Sequence, residues 1–327
     1  MAPRWALVAH GGAGSITRDQ LSPEQEAAYR EATGVAAEAG AAVLRVGGSA
    51  MDAVEAAIHL LEDDPLFNAG RGAAFTAEGR NELDASIMDG RTLAAGAVAG
   101  VTTTRHPISA ARAVIEGSAH VMLGGEGADA FARSQGLEQV DPIYFFTERR
   151  WRSLEKALTR QGLPVPARPV GAPSDEVGKA SLVHEEGKHG TVGVVARDAE
   201  GNVAAGTSTG GSNAKRWGRV GDSPIIGAGT YASNHGCAVS CTGAGEYFIR
   251  LGVAHEINAL VQHRGLSLQA AVDQVIQGQL SALGGEGGVI AVCPGGQMAW
   301  SFNTSGMYRA RIADGEPLVV GVYKDDP

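Results

Sequence analysis

The chain opens on a short apolar run, Trp5-Ala6-Leu7-Val8-Ala9, which reads as a buried first strand ending in a turn at His10-Gly11-Gly12-Ala13-Gly14. Ser22-Pro23-Glu24-Gln25 then announces a helix: Ser at the N-cap, Pro in the first turn, and Gln three residues after the cap to complete a capping box. An alanine-rich stretch carries that helix to about residue 46, where Gly47-Gly48 stops it. A second helix is predicted over about 49–62, ahead of Asp64-Pro65. Strand-like segments follow near 83–88 and 94–101, then helices after Pro107 and Gly125, and a last one near 147–159.

The pattern changes between 161 and 188. Pro164, Pro166, Pro169 and Pro173 lie among scattered charges with no period of 2 or 3.6, the composition of an exposed, poorly ordered linker. Beyond it, Thr191-Val192-Gly193-Val194-Val195-Ala196 reads as a strand, Asp198-Ala199-Glu200-Gly201-Asn202 as a turn and 203–208 as the returning strand of a hairpin. Two helices are predicted over about 245–262 and 267–283, the second capped by Ser267, with short strands near 288–292, 298–303 and 317–323. This order fits an α+β fold of two antiparallel sheets packed together and covered by helices better than a doubly wound parallel sheet. It divides the chain into an N-terminal portion, 1–160, a linker, 161–190, and a C-terminal portion, 191–327, which together form one domain.

Composition narrows the function. At 327 residues and 44% hydrophobic content the chain can bury a full core. Its 47 glycines show no collagen-like period, so they read as tight turns and close backbone approaches. A net charge of −9 and a pI near 5.5 argue against nucleic acid or an anionic membrane as partner. Cys237, Cys241 and Cys293 have neither a closed disulfide set nor zinc spacing, and the first apolar run is too short for a signal segment. A cytoplasmic setting is the expectation.

Several motifs offer chemistry. Gly206-Thr207-Ser208-Thr209-Gly210 matches G-x-S-x-G, but no convincing helix start follows and no Asp…His order stands out downstream, so Ser208 is not taken as a triad nucleophile. His10-Gly11-Gly12-Ala13-Gly14 and Gly124-Gly125-Glu126-Gly127 lack full phosphate-loop or dinucleotide spacing. The nine histidines form no metal-binding pair, and no catalytic metal or cofactor is assigned. At Gly190–Thr191, by contrast, a linker ends and a strand begins on a hydroxyl residue. Cleavage there would give Thr191 a free α-amine, whose reference pKa of about 7.7–8.0 suits it as base for its own hydroxyl.

The runs Gly190-Thr191-Val192-Gly193, Thr207-Ser208-Thr209-Gly210-Gly211, Gly218-Arg219-Val220-Gly221-Asp222-Ser223-Pro224 and Ser240-Cys241-Thr242-Gly243-Ala244-Gly245-Glu246 resemble the plant-type asparaginase/isoaspartyl peptidase family of Ntn-hydrolases. His10-Gly11-Gly12-Ala13-Gly14, Phe67-Asn68-Ala69-Gly70-Arg71-Gly72, Leu83-Asp84-Ala85-Ser86-Ile87-Met88-Asp89-Gly90 and Ala95-Gly96-Ala97-Val98-Ala99-Gly100-Val101 extend the resemblance over nearly the whole chain outside the linker. It implies a four-layer αββα sandwich with two stacked antiparallel sheets. It also implies autocleavage at Gly190–Thr191 and hydrolysis of isoaspartyl dipeptides and L-asparagine. Homodimers of precursors would mature to an (αβ)2 heterotetramer.

By the same resemblance Thr191 is the nucleophile and Thr209 sets its protonation. Arg219 holds the substrate α-carboxylate and Asp222 its α-ammonium. Thr242 and the Gly243 N–H form the oxyanion hole, Gly245 permits close approach of substrate, and Asn68 joins the substrate site. The backbone carbonyls of Leu61, Glu62, Asp64, Phe67, Ala69 and Arg71 are implied as ligands of a structural Na+; carbonyl oxygens suit such a hard cation. Ser212-Asn213-Ala214 and Arg71 depart from the family pattern and bear on specificity. Two alternatives stand beside this reading. A glycosylasparaginase would more often carry asparagine in place of Gly210, and an uncut, non-catalytic binder of aspartyl compounds would run as one full-length band.

Overall fold

The computed structural model describes residues 4–173 and 190–327. Its strands in chain order are β1 (Ala6–Gly14), β2 (Leu83–Asp89), β3 (Ala95–Val101), β4 (Met122–Gly124), β5 (Val192–Arg197) and β6 (Val203–Thr209). They continue with β7 (Thr230–Ala232), β8 (Ala238–Gly243), β9 (Gly287–Val292), β10 (Met298–Phe302), β11 (Gly306–Ala313) and β12 (Val319–Tyr323). The helices are α1 (Pro23–Arg45), α2 (Ala50–Asp63), α3 (Pro107–Gly117), α4 (Gly125–Ser134) and α5 (Glu148–Arg160), then α6 (Gly245–Leu251), α7 (Val253–Arg264) and α8 (Leu268–Asp273). The fold is α+β. Eight strands form one sheet in the order β12-β11-β1-β5-β6-β2-β3-β4, and four form a second in the order β10-β9-β8-β7.

Alternation along the strands sorts side chains into separate apolar clusters. Leu7, Ala9, Ile87, Val98, Val192 and Val194 point from the large sheet into Ala36, Ala41, Val54, Ile58 and Ile108 of α1–α3. Gly206 makes this approach close: a Cβ there would lie 2.6 Å from Val54 and 2.9 Å from Ile58. On the small sheet, Val239, Cys241, Val289 and Ala291 pack with Phe248, Ile257, Val272 and Val275. A third cluster draws from both sheets, with Ala6, Val8, Val195, Val203 and Ala205 meeting Ala238, Ile290 and Val292.

The capping box expected at Ser22/Gln25 forms, and the structure adds a second at Ser49/Asp52, so α1 and α2 start close to the predicted positions. Other expectations change. The glycine run predicted as a turn after the first strand continues β1, with a register shift between His10 and Gly12 that absorbs the extra residue. The sheets are not wholly antiparallel, because β3 and β4 pair in parallel through the α3 crossover. The helix predicted over 245–262 is two helices, broken where Gly252 takes φ 59°. The one predicted over 267–283 passes from α8 into a π-helical stretch, Gln274–Leu280. Strands β4, β7, β8 and β11 add to those predicted.

Part of the predicted linker is anchored. Leu163 and Ala172 pack against the cluster of Phe75, Phe146, Trp151 and Leu158, and Arg168 pairs with Glu148. Residues 174–189 lie outside the described residues.

Candidate active site

Thr191 stands one residue before β5, with its side chain on the face of the large sheet that looks at the small sheet. Its Oγ1 donates to Thr209 Oγ1 at 3.0 Å, at the end of the paired strand β6. Thr209 Oγ1 also accepts from the Gly211 N–H at 3.0 Å, which leaves the Thr209 proton as its own remaining donor. Both threonines are buried. The Gly190 carbonyl, on the other side of the Gly190–Thr191 bond, accepts from the Asn68 N–H at 3.2 Å. Asn68 fixes that point firmly: its Nδ2 donates to Gly211 O, its Oδ1 accepts from Ala74 N–H and its carbonyl accepts from Gly210 N–H.

Beneath Thr191 lies a buried polar chain. His10 Nε2 meets Ser240 Oγ at 3.1 Å, Ser240 meets Thr207 at 2.7 Å, Thr230 donates to Thr207 at 2.6 Å, and Ser86 donates to Thr230 at 2.8 Å. Gly193 is the cross-strand partner of both His10 and Thr207. A Cβ there would stand 1.9 Å from Ser240 Oγ and 2.5 Å from His10 Nε2, so glycine makes room for this chain. Burial pushes the His10 imidazole down to about 3, against a weaker opposing pull from the Thr191 backbone, and keeps the ring neutral.

From the small sheet, Ser240 and Thr242 alternate into the same space. Thr242 Oγ1 accepts from the Ala13 N–H at 3.3 Å, so its hydroxyl proton is available to donate. Gly243 follows at the end of β8, packed against Gly287 and Glu286. Asp222 is buried, and one of its carboxylate oxygens has no hydrogen-bond partner among the described residues. Burial pushes its carboxyl up to about 7, helped by Glu246 and Asp84 and opposed by its own backbone and Arg219. Gly245 lines this point, since a Cβ there would lie 2.8 Å from Asp222 Oδ1 and 3.0 Å from Arg219 Nη2. Arg219 and Asp222 are thus neighbours across Gly245, and the ion-pair partner of Arg219 is Glu246, which the sequence reading did not single out. Asp84, also unassigned there, lies directly across from Thr209 on β2, with its carboxyl raised by burial and one oxygen without a hydrogen-bond partner among the described residues.

Ser208, the G-x-S-x-G serine, faces the opposite way, buried and donating to Glu62 Oε1 at 2.6 Å. The predicted carbonyl loop follows α2. Pro65 has no N–H to return to the Leu61 carbonyl, and the Leu66 N–H is held by Asp64 Oδ1, so the Leu61 and Glu62 carbonyls lack helical partners. The Asp64 and Ala69 carbonyls accept from Phe67 and Gly72, and the Arg71 guanidinium turns away over the Tyr144 ring. Carbonyl oxygens without a helical partner, such as those of Leu61 and Glu62, suit a hard monovalent cation.

A roomier cavity of about 370 Å³ lies at the other end of the large sheet, lined by Ser49, Asp89, Arg112 and Asp198. Its charged groups serve the fold. Arg112 is engaged by Asp52, Glu55 and Glu116, and Asp198 accepts from the N–H groups of Ala50, Glu200 and Asn202. The buried hydroxyls and the Asp222 and Asp84 carboxyls collect instead at the Thr191 end.

The asparaginase family profile matches residues 3–321. The isoaspartyl peptidase of Salmonella typhimurium is 50% identical over 98% of each chain. That of Escherichia coli is 50% identical over 98% of this chain and 96% of its own. The plant-type L-asparaginase of Pyrococcus abyssi is 42% identical over 95% of this chain and 97% of its own. Similarity of this depth, running from the first strand through the last, leaves one conclusion: the chain belongs to the asparaginase family.

Proposed function

We propose that the chain is a self-activating threonine amidohydrolase that releases L-aspartate from isoaspartyl dipeptides and L-asparagine. The observation that carries this reading is the 3.0 Å bond from Thr191 Oγ1 to Thr209 Oγ1, at the polar end of the space between the two sheets, near Thr242, Arg219 and Asp222. The relatives' names, isoaspartyl peptidase and plant-type L-asparaginase, supply the substrate class. Apolar clusters between the sheets and on the outer face of each support an αββα sandwich as the scaffold.

In the first step Thr191 Oγ1 attacks the Gly190 carbonyl carbon, the C–N bond breaks, and the released nitrogen takes the hydroxyl proton to become an α-amine. The Asn68 N–H, 3.2 Å from the Gly190 oxygen, stabilises the charge that develops there. Water then hydrolyses the ester, which separates residues 1–190 from 191–327. In turnover the new α-amine takes the Thr191 hydroxyl proton while Oγ1 attacks the substrate β-carbonyl. Thr242 Oγ1–H and the Gly243 N–H receive the oxyanion, the leaving amine departs with the proton, and water releases aspartate from the β-aspartyl ester. Arg219 and Asp222 hold the α-carboxylate and α-ammonium across Gly245, so the site demands both groups free. The carbonyls of Leu61, Glu62, Asp64, Phe67, Ala69 and Arg71 would hold a Na+ that stiffens the end of α2.

A substrate panel tests the reading. β-Aspartyl dipeptides and L-asparagine should be cleaved, whereas α-aspartyl dipeptides and N-acetylated β-aspartyl peptides should not. Equal rates on the N-acetylated series would show that no ammonium clamp exists. Preferential cleavage of glycosylated asparagine would favour the glycosylasparaginase alternative.

A further inference from the structure

We infer that Glu246 is a positioning residue: it grips the Arg219 guanidinium by its Nε–Nη2 edge so that Nη1 is presented to the α-carboxylate of the bound substrate. The inference rests on the amino-acid clamp proposed above and adds the residue that sets its geometry.

Glu246 stands in the first turn of α6, one residue after Gly245. Arg219 Nε donates to Glu246 Oε1 at 2.9 Å and Nη2 donates to Oε2 at 3.0 Å, a two-point fork that fixes the guanidinium plane. Arg219 Nη1 has no hydrogen-bond partner among the described residues. It lies over Gly221, where a Cβ would come within 2.8 Å of it. Nη2 lies over Gly245, where the same imaginary Cβ also meets Asp222 Oδ1. The guanidinium therefore sits in a slot walled by two glycines, with its Nε–Nη2 edge held by Glu246 and Nη1 lying over Gly221.

Stability does not explain the pair. The Glu246 side chain is 62% exposed, and an ion pair in that setting contributes little to folding. Simple charge does not explain it either. A carboxylate beside Arg219 repels the incoming substrate carboxylate, so on Coulomb's law alone its removal would tighten binding. Positioning gives the opposite sign. Freed of Glu246, the long Arg219 side chain must be immobilised by the substrate itself, which weakens capture.

Glu246 also reaches Asp222 through space. Asp222 is faced by Arg219, which lowers its carboxyl, by Glu246 and Asp84, which raise it, and by the Cys241 thiol of β8. Removing the Glu246 charge should let Asp222 ionise at lower pH.

The test is steady-state kinetics on a β-aspartyl dipeptide for wild type, Glu246→Gln and Glu246→Ala, with intact mass verifying self-cleavage of each. Glu246→Ala should raise KM roughly tenfold with kcat little changed. Glu246→Gln, which keeps one acceptor at the same reach, should fall between it and wild type. In both variants the acid limb of kcat/KM should move to lower pH, a shift that a purely structural role would not produce. An unchanged KM overturns the inference, and a lower KM overturns it by showing that Glu246 competes with substrate. A wild-type chain that cleaves none of the panel overturns the parent reading and this inference together. An active wild type with an unaltered Glu246→Ala overturns the inference alone.

Discussion

The two faces of the large sheet are built from the same strands and do different work. Toward α1–α3, strands β1, β2, β5 and β6 present Leu7, Ala9, Ala85, Ile87, Val192, Val194 and Ala204. Toward the small sheet the alternate positions begin equally apolar, with Ala6, Val8, Val195, Val203, Ala205 and Met88. That second face then turns polar toward one end, where His10, Ser86, Thr207, Thr209, Asp84 and Thr191 collect. A two-residue period thus makes one face a uniform core and the other a graded seam. Buried hydroxyls are tolerated at the seam end because each of Ser86, Thr207, Thr209 and Ser240 meets a partner. The two halves differ in kind: the apolar half of the seam packs the sheets together, and the polar half gathers hydroxyl, carboxyl and imidazole groups.

If the seam end is catalytic and the helix face is structural, substitutions on the two faces should separate cleanly. Thr242→Ala, which removes a hydroxyl donor from the seam end, should lower kcat by ~10²–10³, with a loss of stability of only about 1–3 kcal/mol from the Ala13 N–H it leaves unpaired. Arg219→Ala should lower kcat/KM by about 10², mainly through KM, because an aspartyl carboxylate loses its charged partner. An unchanged kcat/KM would remove Arg219 from the site.

Asp222 gives a pH signature of smaller size. With its carboxyl pushed up to about 7, the free enzyme should lose kcat/KM about tenfold per pH unit below that point, as protonation abolishes the ammonium partner. Its linkage to folding has the opposite sign. The folded-state value lies above the ordinary carboxylate range, so the native chain holds an extra proton between about pH 4 and 7. The stability that proton contributes is present at low pH and is lost as pH rises through 7. Thermal unfolding of wild type against Asp222→Asn should therefore diverge with increasing pH, while activity rises over the same interval. Parallel trends would contradict the assignment.

Ile58→Ala, on the helix face, should have the least catalytic effect. It should cost about 2–5 kcal/mol of stability by leaving a cavity beneath β6, with KM and kcat of the folded fraction unchanged.

Much of this contrast was legible in the sequence, and the parts that were not have physical causes. Ser22 and Ser49 announce their helices because capping is local chemistry, written within four residues. Strands β8 and β11 escaped because both faces of each are covered. Ala-Val-Ser-Cys-Thr-Gly and Gly-Met-Tyr-Arg-Ala-Arg-Ile-Ala show no clean alternation, and Arg309 is buried only because the carbonyls of Met307, Tyr323 and Asp326 receive it. The glycine run after His10 looked like a turn because a bulge and a turn ask for the same residues. At the site, Thr191 alone is an ordinary strand start, and the family resemblance singled it out. The resemblance also named Asn68, but not the hydrogen bonds through which it ties the Gly190 carbonyl to the Gly210-Gly211 turn and to Ala74. Glu246 reads as a surface acid in a first helical turn; its fork with Arg219 exists only once residues 27 positions apart are brought together.

The central claim is that the nucleophile is made by cutting the chain before Thr191. It is tested most directly by following intact mass and β-aspartyl dipeptide hydrolysis together during incubation of freshly purified wild type and Thr191→Ala. The account predicts that wild type converts to two fragments separated between Gly190 and Thr191, with hydrolysis rising in step with conversion. Thr191→Ala should stay full length and inactive. Full hydrolytic activity in an uncut chain, or in Thr191→Ala, would contradict it.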